Sequence, residues 1–297
     1  MRAAERGFLL LSSHLGDPAR RPLTPPQLRK LATRMQIPEW AAEERELNVS
    51  DLKQIGYTTP EAERILSLLA GEKQLREYLK HGEEYGCRPV TRVGGAYPLL
   101  LCKRLGLDSP GCLWVKGDAS LLQQPAVSLV GSRDLREENR EFAREVGRQA
   151  AVQGYVLISG NARGADRTAQ ESCLEAGGKV ISVVADQLYR QPERENMLFV
   201  SEDGFGEAFS TLRALSRNRV IHGLGLKTFV AQCGAEKGGT WSGTVKNLRS
   251  GWSDVYAFRD GSEAMLMLEQ LGANLIAMDD LQSFFDLQCR PKNLFDR

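Results

Sequence analysis

The sequence predicts a doubly wound α/β fold, a mostly parallel sheet covered by helices on both faces, preceded by a helical region. Two observations carry this. From Ala126 onward, short β-branched runs alternate with segments of helical period. Strand, helix, strand at this spacing builds a parallel sheet, because parallel neighbours need a crossover and the crossover is normally a helix.

The first eighty or so residues read as helices. Thr24 caps one with Pro25 in its first turn, and Leu28, Leu31, Ala32 and Met35 follow at helical spacing. Thr59 and Pro60 repeat the device ahead of Ile65, Leu68, Leu69, Leu75 and Leu79. Residues 1–82 are thus expected to form a small helical domain and residues 83–297 the sheet domain. Between Gly82 and Gln124 prolines, glycines and short apolar pieces take over, and "CLWVKG" at Cys112–Gly117 reads as a strand entering a turn. Strands are then expected at Ala126–Val130, Tyr155–Ser159, Lys179–Ala185, Leu198–Ser201, Thr228–Ala231 and Val255–Phe258. Helices are expected at Arg136–Val152, Ala165–Ala176, Glu207–His222, Gly239–Arg249 and Ser262–Leu271.

Composition narrows the function. The 297 residues are 42% hydrophobic and 26% charged, an ordinary globular balance. No apolar run approaches the roughly 18 residues of a membrane span, and Phe8–Leu11 is too short for a signal peptide, so no membrane association and a cytoplasmic location are expected. The six cysteines, Cys87, Cys102, Cys112, Cys173, Cys233 and Cys289, are dispersed, with no C-x-x-C pair and only three histidines in the chain. That pattern points to buried thiols rather than a disulfide framework or a metal site. A net charge of +1 gives no general attraction to polyanions, so any anion binding must be local.

In doubly wound sheets ligands bind beyond the carboxyl ends of the strands. The first predicted strand of the core ends on Gly131, Ser132 and Arg133. The second ends on "SGNARGAD", Ser159 to Asp166, where Gly160, Arg163 and Gly164 precede a helix opening at about Gly164. Glycines permit close backbone approach, a helix start offers free N–H groups, and arginine forks suit phosphate oxygens. Each feature alone also fits a structural role: Gly131 a turn, Asp166 a helix cap, Arg163 a partner for Asp166. Two such loops on adjacent strands favour a phosphate cradle. The spacing matches neither G-x-G-x-x-G nor a Walker loop.

The fifth strand of this series leads into "CGAEKGGTWSGT", Cys233 to Thr244, in which Lys237, Gly238 and Gly239 repeat the pattern and Trp241 fits either base stacking or core packing. Upstream, "LRALSRNRVIHGLGLK" at Leu212–Lys227 carries Arg213, Arg217, Arg219 and Lys227 and no carboxylate. Arg217 and Arg219, flanking Asn218, are placed to track a phosphate backbone. No catalytic set is visible: His222 has no nucleophile partner, and Asp186, Glu202 and Asp203 fit no metal motif.

In chain order, "VSLVGSR", "LISGNARGADRTAQESCLEAGGKVISVV" and "LSRNRVIHGLG" resemble the three signature blocks of the DNA-processing protein A family, also called Smf. The likeness runs from about Gly94 to Ile276. It implies an extended Rossmann-like core that binds single-stranded DNA without sequence preference, works as a homodimer, needs no metal or other cofactor, and hands the strand to a RecA-type recombinase in natural transformation. It places phosphate contacts on Arg133 after Gly131 and Ser132, on Arg163 and Gly164, on Lys179, and on Arg217, Asn218 and Arg219. The chain departs from the family at "DLREENR", which brings acid close to Arg133, and with its end at Arg297 it is expected to lack the winged-helix domain that many members carry. An alternative is a nucleotide sensor or enzyme, since "KGGTWSGT" is similar to the phosphate loop of lysine-decarboxylase-like phosphoribohydrolases. Those enzymes need a glutamate soon after the loop, and Thr244–Arg249 contains none.

Overall fold

Buried β-branched runs form the centre of the molecule in the computed structural model, which describes residues 1–37 and 46–288. Every residue of β3 (Ala126–Val130), β4 (Val156–Ser159) and β6 (Met197–Ser201) is buried, as strands covered on both faces must be. With β5 (Lys179–Val183), β7 (Lys227–Val230), β8 (Asp254–Phe258) and β9 (Asn274–Ile276) they make the parallel part of one sheet. Two antiparallel strands, β1 (Cys87–Thr91) and β2 (Cys112–Gly117), extend it beyond β6, giving nine strands in the order β1-β2-β6-β5-β4-β3-β7-β8-β9. The fold is the expected Rossmann-like, doubly wound one.

The winding sets the place of the site. From β3 the chain runs outward through α7 (Glu137–Val152), β4, α8 (Ala165–Glu175) and β5 to β6. It then returns to the other side of β3 and runs outward again through β7, α11 (Gly238–Ser250), β8 and α12 (Glu263–Gln270) to β9. The chain leaving β3 therefore passes to α7 on one face and the chain leaving β7 to α11 on the other, and a crevice opens at this reversal. Leu129 of β3 faces a core shared with Phe142 and Val146 of α7, while Val130 faces the opposite core. That second core holds Val220 and Ile221 of α10 (Asn218–Leu224) and Leu101 of α6 (Leu99–Leu105).

The single helix expected over Glu207–His222 is two. Ser210 caps α9 (Thr211–Ser216), its Oγ accepting from the Arg213 N–H at 3.1 Å, and the axis changes at Arg217, where α10 begins. The break lets α10 bury Val220 and Ile221 while Leu212 on α9 stays 80% exposed. Sequence periodicity across such a joint is continuous enough to hide it.

Five helices precede the sheet: α1 (Ala3–Ser12), α2 (Pro25–Arg34), α3 (Val49–Gln54), α4 (Thr59–Leu69) and α5 (Glu72–Glu84). Thr24 caps α2 as expected, whereas the cap of α4 is Thr58, one residue before the expected Thr59, because its Oγ reaches the Glu61 N–H. Leu31, Leu52, Ile65 and Leu68 form a small core of their own. Leu9 and Leu10 of α1 and Leu75 of α5 instead join the core beneath the sheet, with Trp114 and Phe205. Cys87, Cys102, Cys112, Cys173 and Cys233 are free thiols, and Cys289 lies outside the described residues. Among the described residues no helix is long and apolar enough to cross a membrane, and no group of three or more His, Cys, Asp or Glu is placed to hold a metal.

Candidate functional site

At the carboxyl ends of β3 and β7 lies a cleft of about 460 Å³, bounded by Gly131–Arg133, Ala162 and Asp166, the segment Phe209–His222, and Gly234–Thr240. The loops are fixed by backbone contacts. The Ser132 N–H donates to the Gln232 carbonyl at 2.9 Å, and the Ala165 N–H donates to the Ser132 carbonyl at 3.1 Å. Gly164, at φ +87°, stands against the carbonyls of Ser132 and Arg133 and leaves no room for a Cβ. Only glycine meets both demands. Across the cleft Thr240 Oγ1 donates to the Gly131 carbonyl at 3.0 Å, and Gln232 clamps the turn further, accepting from the Arg136 N–H and donating to the Asp134 carbonyl.

Arg217 lines the cleft although the residue is only 9% exposed. Its Nε and Nη1 are buried and without a hydrogen-bond partner. Gly160 is what admits it, since a Cβ there would fall on the guanidinium and on Asp166. Burial pushes the Arg217 pKa down, with the charges of Asp166 and Asp186 opposing. Burial likewise raises that of Asp166, opposed by Arg217, the Ala162 N–H and Arg133. Each charge thus offsets part, and not all, of the other's desolvation in a poorly solvated place.

The helix that carries Arg217 is anchored from several sides. Ser128 Oγ in the middle of β3 donates to the Ile221 carbonyl at 2.6 Å, and Arg104 of α6 donates to the Gly223 and Gly225 carbonyls at the end of α10. Buried His222 sits on Asn247 and Thr228, and desolvation, helped by Arg217, lowers its pKa to about 3, so it is a neutral structural group at ordinary pH.

The predicted residues separate into distinct groups. Gly131, Ser132, Arg133, Arg217, Asn218, Lys237, Gly238 and Gly239 all line the cleft. Arg133 and Lys237 are exposed and hold no side-chain hydrogen bond or ion pair among the described residues. Arg163 stands exposed beside the cleft, paired with Asp134 at 2.8 Å rather than with Asp166. Ser159 and Gly160 are turned inward: Gln170 Nε2 donates to Ser159 Oγ at 2.7 Å, and the Gly160 carbonyl accepts from both Gln170 and Ser182. Arg219 points away toward β6, where it meets the buried carboxylate of Glu202 at 2.6 Å. Trp241 is half-buried against the core with Val245 and Leu248.

Lys179 is not brought to this edge. It opens β5, at the amino end of the parallel strands, and its Nζ donates to Gln124. Sequence reasoning missed Gln232 and Thr240, which brace the loops, and Phe209 and Leu215, which wall the cleft while 57% and 43% exposed. Apolar residues left exposed beside a cationic run were the available signal.

The family described as DNA recombination-mediator protein A matches residues 89–277, more than half of the chain. DNA processing protein DprA of Streptococcus pneumoniae is 31% identical over 184 residues, covering 57% of this chain and 64% of that protein. The chain thus spans less than two thirds of that relative's length. The solved structure of the streptococcal protein superposes with a TM-score of 0.66 at 24% identity, covering 90% of this chain and 99% of that one. DNA processing protein A from Helicobacter pylori, whose structure concerns its single-stranded DNA binding mode, superposes with a TM-score of 0.55 at 21% identity, over 66% and 92% of the two chains. These superpositions establish the shared fold.

Proposed function

The chain belongs to the DNA recombination-mediator protein A family, and we propose that it binds single-stranded DNA without sequence preference through the cleft at the carboxyl edge of its sheet. The observation that carries this is the cluster of Arg133, Arg217 and Lys237 around glycine-rich backbone where the winding reverses. Cations and backbone N–H groups grip phosphates and leave base identity unread. The H. pylori relative's single-stranded DNA binding supports the same reading. In this reading the core from residue 83 holds the strand, residues 1–82 are an accessory helical region, and the protein acts by binding rather than turnover. A homodimer that passes the strand to a RecA-type recombinase in the cytoplasm completes the proposal.

A fluorescence-anisotropy titration with single- and double-stranded DNA at two salt concentrations tests it. The single strand is expected to bind tighter, with affinity falling as salt rises because each phosphate contact releases counterions. Equal affinity for both DNAs, or indifference to salt, rejects the reading.

A further inference from the structure

We propose that the helical region holds a further stretch of the bound strand, whose phosphates lie along a cationic groove between α2 and α4, apart from the cleft. The inference rests on the DNA-binding reading and gives residues 1–82 a part in it. Unpaired charge is the carrying observation. Between Asp17 and Glu39 the chain carries Arg20, Arg21, Arg29, Lys30 and Arg34 and no carboxylate. Arg20 turns inward and donates to Gln74 and to the Leu10 and Leu68 carbonyls. Arg21, Arg29 and Arg34, and Arg64 across the groove on α4, make no ion pair among the described residues, where Lys30 meets only Glu61, at 4.0 Å. Arginines elsewhere are matched: on α7, Arg140, Arg144 and Arg148 each pair with the glutamate three residues before. In a chain of net charge +1 a bare row of cations repels itself, and an anionic partner relieves that repulsion.

The fold turns three of these cations to one side. Gln27, Lys30 and Arg34 recur at helical spacing on one face of α2, with Arg34 roughly 6 Å beyond Lys30 along the axis, and Arg29 lies on the opposite face. Lys30 and Arg64 line the groove, and Arg64 Nη2 donates to the Arg21 and Pro22 carbonyls at 3.3 Å, which carries the row toward Arg21. Lys30 and Arg34 stand over the Tyr57 ring, 5.3 and 4.7 Å from its centroid, and Arg34 Nη1 donates to the Gly56 carbonyl at 2.8 Å. Both heads are thus held in place before any ligand arrives. Glu61 is the opposing charge in the groove, its carboxylate held at the start of α4 by the Thr58 N–H and hydroxyl. A hollow of about 110 Å³ whose aromatic ring is 8% exposed offers no deep anchor for a peptide side chain, which protein partners need. A strand's backbone needs only a row of cations. Leu9, Leu10 and Leu75 pack the helical region onto Trp114 and Phe205 beneath the sheet, so groove and cleft keep a fixed separation, and only a strand long enough to span it gains from both.

The test uses the full chain and fluorescent oligothymidylates of about 8 nucleotides, a length that fills one single-strand site, and of about 40. Lys30→Gln with Arg64→Gln should weaken binding of the long strand about tenfold and make its salt slope shallower by about 1.4, while the short strand changes by less than about twofold. Arg29→Gln, which removes a charge from the opposite face of α2, should change both strands by less than about twofold, and a thermal melt of each variant checks folding. Glu61→Gln, whose amide oxygen still accepts from the Thr58 N–H, should tighten the long strand about threefold, a gain that misfolding cannot produce. Parental affinity and slope for the long strand in the double variant overturn the inference and leave the DNA-binding reading intact. An equal loss on the short strand also overturns it, since the groove would then be no separate contact. If the parent binds the long strand but not the short one, the cleft reading falls and the double variant decides the groove alone; a parent that binds neither removes both. Binding of a labelled oligoglutamate that the double variant loses, with DNA unaffected, overturns the inference in favour of an acidic peptide.

Discussion

Replacing Arg133 by alanine removes an exposed cation from the mouth of the cleft and disturbs no side-chain hydrogen bond or ion pair among the described residues. Its effect should therefore be on binding and not on folding. An exposed charge-assisted phosphate contact contributes about 1 kcal/mol, so the dissociation constant should rise about fivefold. Salt gives a sharper signature. For a single strand the slope of log K against log salt is about −0.7 per neutralised phosphate, so contacts from Arg133, Arg217 and Lys237 give about −2. Raising salt from about 50 to about 200 mM then weakens the parent roughly twentyfold and the variant only about sevenfold, because its slope is about −1.4. Anisotropy titrations at four salt concentrations, with a thermal melt of each protein, measure both quantities. A slope that stays at the parental value, even with weaker binding, refutes the reasoning, since Arg133 would then neutralise no phosphate.

Other perturbations separate binding from scaffold. Lys179→Ala should change DNA affinity by less than about twofold, since Lys179 lies at the opposite edge of the sheet; a loss like that of Arg133→Ala in the same titration would move the site. Gly164→Ala forces a side chain into a φ of +87° against two carbonyls and should cost about 2 kcal/mol or more in denaturant unfolding. His222 has a folded pKa of about 3, below its unfolded value, so the unfolded chain binds more protons through the interval between them. Stability should accordingly rise with pH between about 3 and about 6.5 by up to about 1.4 kcal/mol per unit and level off above; urea melts of parent and His222→Gln across that range should differ in slope.

Much of this arrangement was legible in the chain because strand and loop chemistry are local. Val127–Val130 followed by Gly131 and Arg133 announces a buried strand and an anion-facing turn without knowledge of any neighbour. The strand of Cys112–Gly117 was readable for the same reason, whereas β9, three residues long, carries too few side chains to show a period. What escaped was direction. Arg217, Asn218 and Arg219 are consecutive, yet Arg217 lines the cleft and Arg219 reaches the buried Glu202 behind it. About half a helical turn separates those fates, and the orientation of α10 that sets it is fixed by the break at Arg217 and by the bond from Ser128 of β3 to the Ile221 carbonyl. Lys179 shows the same limit in a sheet: nothing in its neighbours tells which end of a strand will share an edge with which loop.

The contact between Gly164 and the Ser132–Arg133 backbone also governs how this molecule can change in length. Two loops held main chain to main chain share one register, and an added residue in either would slide the other out of place. Insertions must collect where the backbone is not so interlocked, such as the exposed residues 192–196 that lead into β6 at the other end of the strands. The cleft is therefore a part of the surface that can be retuned by exchanging side chains but not remodelled by growth.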